Sequence, residues 1–438
     1  MSDDLRRVLL IAYYFPPLGL SGVQRTAKFA KFLGRYGWKP TVLTVEPAGY
    51  YAFDESLLRE VEEAGVEIVR TTSLDANRLF KKKGVVRLPS EFIRKAAGFI
   101  GDLLFIPDTK IGWKRRALKA ALELTARTRF DAILATAPPQ TDFLIGMELK
   151  RRTGIPLLVD YRDAWMEYPF KFYPTPFHTW LHRRMERKVL HASDGIVVTH
   201  RRIKESILRR HRQFSYNDIT IISQGFDAED FAEPASRSGA KGRMRIVHAG
   251  TFYGHRSPDV LFRALQALFS QHSELRGRFE VRLVGAQRMQ DVKLVKKLGL
   301  ADVVAFEGYL EHRACVKLLR SADVLWYVND NDMSSPGKLY EYFAAGKTIL
   351  ASVVDGYTQQ EIRESTGAVC VPLFDGPAHE RALLDLLALF EMKALQGVPE
   401  NFAERFDRFR LTGALAKQLE SLIDYDRVDL RRVTEDVA

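Results

Sequence analysis

Short continuous apolar runs recur along the chain, separated by stretches whose apolar residues return at helical intervals. Arg7-Val8-Leu9-Leu10-Ile11-Ala12-Tyr13-Tyr14 is the first run, and it does not alternate, as expected of a strand buried on both faces of a parallel sheet. Phe15 to Gly22 breaks it with two prolines and two glycines. A helix is then predicted, with Val23, Ala27, Phe29, Ala30 and Leu33 on one face. Further strands are predicted over residues 40–45, 67–70, 130–136, 155–160, 195–199 and 219–222. Strands alternating with helices imply right-handed βαβ units and a doubly wound sheet.

Between Phe231 and Arg245 the sequence turns polar and small, which is linker composition. The alternation restarts at 245–250 and continues at 280–285, 303–306, 324–328, 348–352 and 368–371. The prediction is an α/β protein with two doubly wound, Rossmann-like domains, residues 1–230 and 243–401, facing an interdomain cleft. Ligands of open parallel sheets lie beyond the carboxyl ends of the strands, so that cleft is the expected site.

The length of 438 residues agrees with two cores rather than one. A content of 46% hydrophobic and 28% charged residues fits a soluble globular protein. No apolar run approaches the ~20 residues that span a bilayer, and Met1 to Arg7 is too acidic for a signal peptide. The two cysteines, Cys315 and Cys370, are too few for a disulfide framework or a cysteine-based zinc site, and they favour a reducing, cytoplasmic setting.

The net charge of +11 becomes informative once located. Residues 78–130 hold 14 basic against 4 acidic side chains, and residues 171–212 hold 11 against 3. Blocks of this kind imply an anionic partner, a membrane surface or a nucleic acid. Phe92, Ala96, Phe99, Leu103 and Ile106 recur at steps of three or four inside the first block, with Arg87, Arg94, Lys95, Lys114, Arg115 and Arg116 around them. An interfacial helix needs that combination; the competing reading packs the apolar face on the domain's own sheet. No recognised nucleic-acid module and little aromatic interleaving are present, so no nucleic-acid partner is expected.

Three stretches carry candidate chemistry. Gly19-Leu20-Ser21-Gly22 joins the first strand to a helix and reads either as an anion site or as a tight turn. Asp160-Tyr161-Arg162-Asp163 lies just past a buried strand and reads as a ligand-contacting loop or as a local Arg–Asp brace. Lys338 and Glu341 fall i, i+3 at a helix start, where a cation and the helix dipole suit a diphosphate and a carboxylate can accept both hydroxyls of a ribose. Gly346-Lys347-Thr348 is not a P-loop, because the position of its first glycine is Glu341.

The chain resembles the family 4 glycosyltransferases of GT-B fold, which are retaining and use sugar nucleotides in polysaccharide and lipopolysaccharide assembly. The resemblance rests on Tyr14-Phe15-Pro16-Pro17 through Gly22-Val23-Gln24-Arg25 to Gly37-Trp38, on Asp160 to Asp163, on Gly225-Phe226-Asp227, on Gly250-Thr251 and on Lys338 to Lys347. It implies a donor site of Gly22, Gly250, Thr251, Ser335, Lys338, Leu339 and Glu341, the last in the ribose-binding position of a Glu-x7-Glu signature. Met333 stands where the first glutamate would be, with Ser334 or Ser335 as its substitute. Many members carry a histidine in the loop at 135–140, and here there is none. Arg256 and Lys338 are the expected countercharges for the leaving diphosphate. Asp163 is the expected contact at the reacting centre, with Asp160 and Arg162 on the acceptor side. No metal or other cofactor is expected.

The resemblance also implies that residues 402–438 form a helix returning to the first domain, followed by a tail. The partners it implies are a nucleotide sugar and a lipid-linked or saccharide acceptor. Together with the basic blocks, these point to a cytoplasmic enzyme held peripherally at the inner face of the membrane. The alternatives are a sugar-nucleotide 2-epimerase or phosphorylase on the same scaffold, or an inactive membrane-bound scaffold.

Overall fold

The computed structural model describes residues 5–19, 21–47, 53–75, 91–169, 171–233, 242–252, 256–333 and 337–435, excluding the side chains of Ser21, 91–97 and 424–435. The chain divides into two compact units. The first holds residues 1–224, 333–335 and 408–438, and the second holds 225–332 and 336–407. The boundaries therefore fall at Gln224 and Asp407, not at 230 and 401.

The first unit is built on a seven-stranded parallel sheet: β1 (Arg6–Ile11), β2 (Trp38–Val45), β3 (Glu67–Thr71), β4 (Ala132–Ala137), β5 (Leu157–Tyr161), β6 (Gly195–Val198) and β7 (Ile219–Ile221). Their order is β3-β2-β1-β4-β5-β6-β7. Every residue of β4 and β5 is buried, which accounts for their unbroken apolar runs. One face packs under the Lys114–Arg127 and Gln140–Thr153 helices, where Ala117, Ala121, Phe143 and Leu149 join the core. The other face packs Val23, Ala27 and Ala30 of the Ser21–Leu33 helix together with Leu415, Ala416 and Leu419. Those last three belong to the final helix, Arg408–Glu435, so from Arg408 the chain is part of the first unit. Phe402 and Phe406, predicted to return with it, pack instead against Tyr340 and Phe343 of the second unit.

The second unit repeats the plan with six parallel strands: β8 (Met244–Ala249), β9 (Phe279–Val284), β10 (Val304–Gly308), β11 (Val324–Asn329), β12 (Thr348–Val353) and β13 (Ala368–Pro372). Their order is β10-β9-β8-β11-β12-β13. In each sheet the winding reverses once, between β1 and β4 and between β8 and β11. The loops flanking those reversals form the crevices in which such sheets take ligands. Among the described residues no helix is long and apolar enough to cross a membrane.

Candidate active site

In the second unit the crevice lies between the loops after β8 and β11. The Gly337–Ala345 helix starts on the second of these loops and is fixed from below by Tyr342. The Ala249 N–H, at the end of β8, donates to the Tyr342 hydroxyl at 2.7 Å, and that hydroxyl donates to the Trp326 carbonyl of β11 at 3.4 Å. One phenol thus ties the helix to both strands at the reversal. On the helix, Lys338 Nζ sits 2.6 Å from Glu341 Oε2 and 3.9 Å from the Cys315 sulfur. Burial opposes the Lys338 charge, but the Cys315 sulfur and the Glu341 carboxylate outweigh it and hold the ammonium well above its ordinary range. Glu341 is 2% exposed, and its Oε1 accepts no bond from the described residues.

Arg256 lies at the same edge, 8% exposed. Its Nε donates to Asp330 Oδ1 at 2.8 Å and its Nη2 to Asn329 Oδ1 at 2.7 Å, so it joins the two loops that flank the reversal. The Gly250-Thr251 turn packs directly on Gly285. Gly285 has φ +134°, and a Cβ there would lie 2.3 Å from the Gly250 carbonyl oxygen. Only glycine permits that approach. His248 stacks on Phe252 at 4.4 Å and pairs through Nδ1 with the Trp326 carbonyl at 2.9 Å. Burial pushes its imidazole down to about 4, so it is neutral at physiological pH. His312, opening the neighbouring His312–Arg320 helix, pairs through Nε2 with Asp230 at 2.9 Å. Burial opposes its charge, but the Asp230 bond and the nearby Glu341 carboxylate raise its pKa.

In the first unit the crevice is closed by Arg162. Its two terminal nitrogens donate to the carbonyls of Gly22, after β1, and Pro138, after β4. Asp160 does not pair with Arg162. It accepts from Arg25 Nε at 3.0 Å and Nη2 at 2.9 Å, and from Thr136 Oγ1 at 3.0 Å. Both of its oxygens are engaged and it is 1% exposed. Asp160 and Arg162, expected on the acceptor side, both brace the crevice through these bonds. Asp163, next to them, accepts no hydrogen bond from the described residues. Burial pushes its carboxyl up to about 6, and the Arg162 charge only partly offsets this.

The sequence pattern missed Asp142, at the start of the Gln140–Thr153 helix. It accepts from the Tyr13 N–H at 2.8 Å, and its Oδ1 is buried without a partner among the described residues. Burial pushes this carboxyl well above its ordinary range. In sequence it reads only as an acidic residue in a first helical turn. Leu339 lies with its side chain in the second core, leaving its backbone as the group able to meet a donor. Ser334 and Ser335 lie outside the described residues. Met333 is grouped with the first unit and packs against its core.

Both halves of this arrangement match known families. The Glycosyl transferase 4-like domain matches residues 22–225, and Glycosyl transferases group 1 matches residues 243–388. The chain belongs to the family 4 glycosyltransferases. A related sequence, the D-inositol 3-phosphate glycosyltransferase of Streptomyces scabiei, is 26% identical over 227 residues, covering 48% of this chain and 50% of its own. The chain thus spans about half the length of the curated relatives it matches. Among solved structures, a Rickettsia africae glycosyltransferase superposes with a TM-score of 0.65 at 13% identity, covering 96% of this chain and 99% of its own. Anabaena HepE in complex with UDP and glucose superposes with a TM-score of 0.62 at 13% identity, covering 95% and 100%. These two likenesses establish the GT-B fold of this glycosyltransferase. Both family models describe glycosyl transferases, and between them they cover the two halves of the chain.

Proposed function

We propose that this glycosyltransferase is a retaining enzyme that takes a sugar from a nucleotide diphosphate sugar and passes it to a lipid-linked or saccharide acceptor in cell-envelope polysaccharide or lipopolysaccharide synthesis. The observation that carries the reading is the Lys338–Glu341 pair, joined at 2.6 Å at the start of the Gly337–Ala345 helix beyond the carboxyl end of β11. A helix start with a fixed ammonium suits the diphosphate, and the open oxygen of Glu341 suits ribose hydroxyls. HepE, of the same fold, binds UDP and glucose.

Departure of a nucleoside diphosphate needs positive charge held in place before the reaction, because charge grows on the β-phosphate as the glycosidic bond stretches. Lys338 supplies it directly, and Arg256 is held in the same crevice by Asn329 and Asp330. In this reading the chain's own cations serve where a metal would otherwise be needed. Asp163, poised near neutrality, accepts the proton of the acceptor hydroxyl or holds hydroxyls of the transferred sugar. The basic charge of the first unit supports a position on the cytoplasmic face of a membrane, where a lipid-linked acceptor is presented; nucleic acid has no part in this reading.

The test is turnover and binding with a panel of UDP-, GDP- and TDP-sugars. The wild-type protein is expected to be stabilised by one nucleotide class and to transfer its sugar with retention at the anomeric carbon. Lys338→Ala or Glu341→Ala with undiminished donor turnover would overturn the assignment. Anomeric inversion in the product would overturn the retaining mechanism.

A further inference from the structure

Large apolar side chains stand exposed on one part of the first unit, and they come from two elements. Phe99, Ile100, Leu103 and Leu104 close the Glu91–Leu104 helix at 47%, 53%, 41% and 66% exposure. Phe172, Phe177 and Trp180, on and before the Pro176–Ala192 helix, are 51%, 60% and 53% exposed. The sequence pattern drew attention to the first set only.

The two elements are braced into one surface. Lys171 Nζ meets Asp102 Oδ1 at 2.5 Å and the Pro107 carbonyl at 3.2 Å. His178 Nε2 meets the Leu103 carbonyl at 3.1 Å, and the rings of Phe99 and Phe172 lie 5.5 Å apart. Phe177 and Trp180 stack at 6.0 Å. A soluble surface rarely leaves so many large apolar groups together in water without something to cover them.

The charges around this face indicate what covers it. Phe177, Trp180, Arg184 and Arg187 follow one another at steps of three and four along one helix. The Arg184 guanidinium lies 5.4 Å from the Trp180 ring, and Arg183 and Arg187 are exposed beside it. An aromatic end followed by guanidinium groups matches a monolayer whose acyl boundary is apolar and whose phosphates are negative. Both elements also lie within the two basic blocks, and charge of that sign adds attraction to anionic lipid.

We propose that the face formed by Phe99, Leu103, Phe172, Phe177 and Trp180, rimmed by Arg183, Arg184 and Arg187, inserts into an anionic lipid monolayer. The proposal rests on the membrane-bound reading of the enzyme and names the surface that performs it.

Trp180 provides its own probe. Of the five tryptophans, Trp38, Trp113, Trp165 and Trp326 are at most 1% exposed. The full-length protein is mixed with vesicles of phosphatidylcholine alone or enriched in phosphatidylglycerol, with flotation and quenching by brominated acyl chains as readouts. Flotation and quenching with the anionic vesicles are expected, both weakened by salt, and Trp180→Phe should abolish the quenching. Joint Phe177→Ala and Trp180→Ala should weaken binding by about tenfold or more. Joint Arg183→Glu and Arg184→Glu should weaken it on anionic vesicles. These are surface positions, and unchanged donor turnover in detergent reports that each variant is folded. If the protein floats while Trp180 is neither quenched nor needed, the membrane reading stands and this surface is wrong. If it floats with neither composition, both fall. If Trp180→Ala instead turns a dimer into a monomer in sedimentation, the face is a protein interface and the proposal is overturned.

Discussion

Arg25 grips Asp160 through a fork, Nε on one carboxylate oxygen at 3.0 Å and Nη2 on the other at 2.9 Å, with both side chains almost fully enclosed. The guanidinium also donates to the Ser223 and Ile222 carbonyls just past β7, so three distant parts of the chain meet on it. Removing one partner leaves a buried charge without its counterpart. Arg25→Met or Asp160→Ala is therefore expected to cost about 3–5 kcal/mol of stability in urea denaturation. The double variant should lose less than the sum of the two singles. Additive losses would mean the pair is not coupled.

Lys338→Ala and Glu341→Ala should differ in kind. Without Lys338, the diphosphate loses a charge-assisted contact and Glu341 is left charged and enclosed. Donor affinity should fall by about 2–4 kcal/mol in calorimetry, roughly 30- to 1000-fold, with some loss of stability. Glu341→Gln keeps the shape and one acceptor, so it should retain more donor binding than Glu341→Ala. Equal affinity for the two variants would remove Glu341 from ribose recognition.

Asp163 links activity and stability to pH in opposite directions. Its carboxyl is raised to about 6 in the folded chain, against an ordinary value near 4, so between those pH values the folded state holds more protons than the unfolded one. Its contribution to stability therefore falls as pH rises through that window, while the ionised form that the proposed base role requires appears. Turnover should climb through about pH 6 and then level off. Asp163→Asn should flatten that limb, cut activity, and at pH 7 be more stable than wild type by about 1–3 kcal/mol. A destabilised Asp163→Asn would show that the carboxylate is favoured where it sits.

Gly285→Ala tests the Gly250-Thr251 turn proposed for the donor site. A methyl group would meet the Gly250 carbonyl at 2.3 Å on a backbone with φ +134°, so the Gly250-Thr251 turn has to move. A loss of about 2–4 kcal/mol in stability is expected, with a further drop in donor affinity at temperatures where the variant is folded. Ala substituted at Gly277, where nothing lies within 4 Å, serves as the control.

All thirteen strands of the described residues were legible in the sequence, and most plainly the inner ones, such as β4, β5, β11 and β12, because a parallel strand covered on both faces has no polar alternation to obscure it. Lys338 and Glu341 were legible for a similar reason, since their neighbourhood is set by one turn of helix. The partner of Asp160 was not. Arg25 is 135 residues away, and a local pattern offered Arg162 two positions on. His312 meets Asp230 across 82 residues, and the approach of Gly285 to Gly250 depends on the β8–β9 register. Helical periodicity marked the apolar residues around Phe99 and Leu103, but no periodicity says whether a face meets a sheet or solvent. Trp180 looked like an ordinary helix residue until its exposure was seen.

The first unit is not contiguous in the chain: residues 1–224 lack the side chains of Leu415, Ala416, Leu419 and Leu422 that fill one face of their core. A ribosome therefore finishes the whole second unit before it releases the segment that completes the first. Folding at the N-terminal end must wait with the Ser21–Leu33 helix uncovered while more than 180 further residues emerge. The usual order of synthesis, earlier domain first, is reversed at the level of the finished core. A nascent chain stalled before Arg408 would present chaperones with a complete second unit and an open first one.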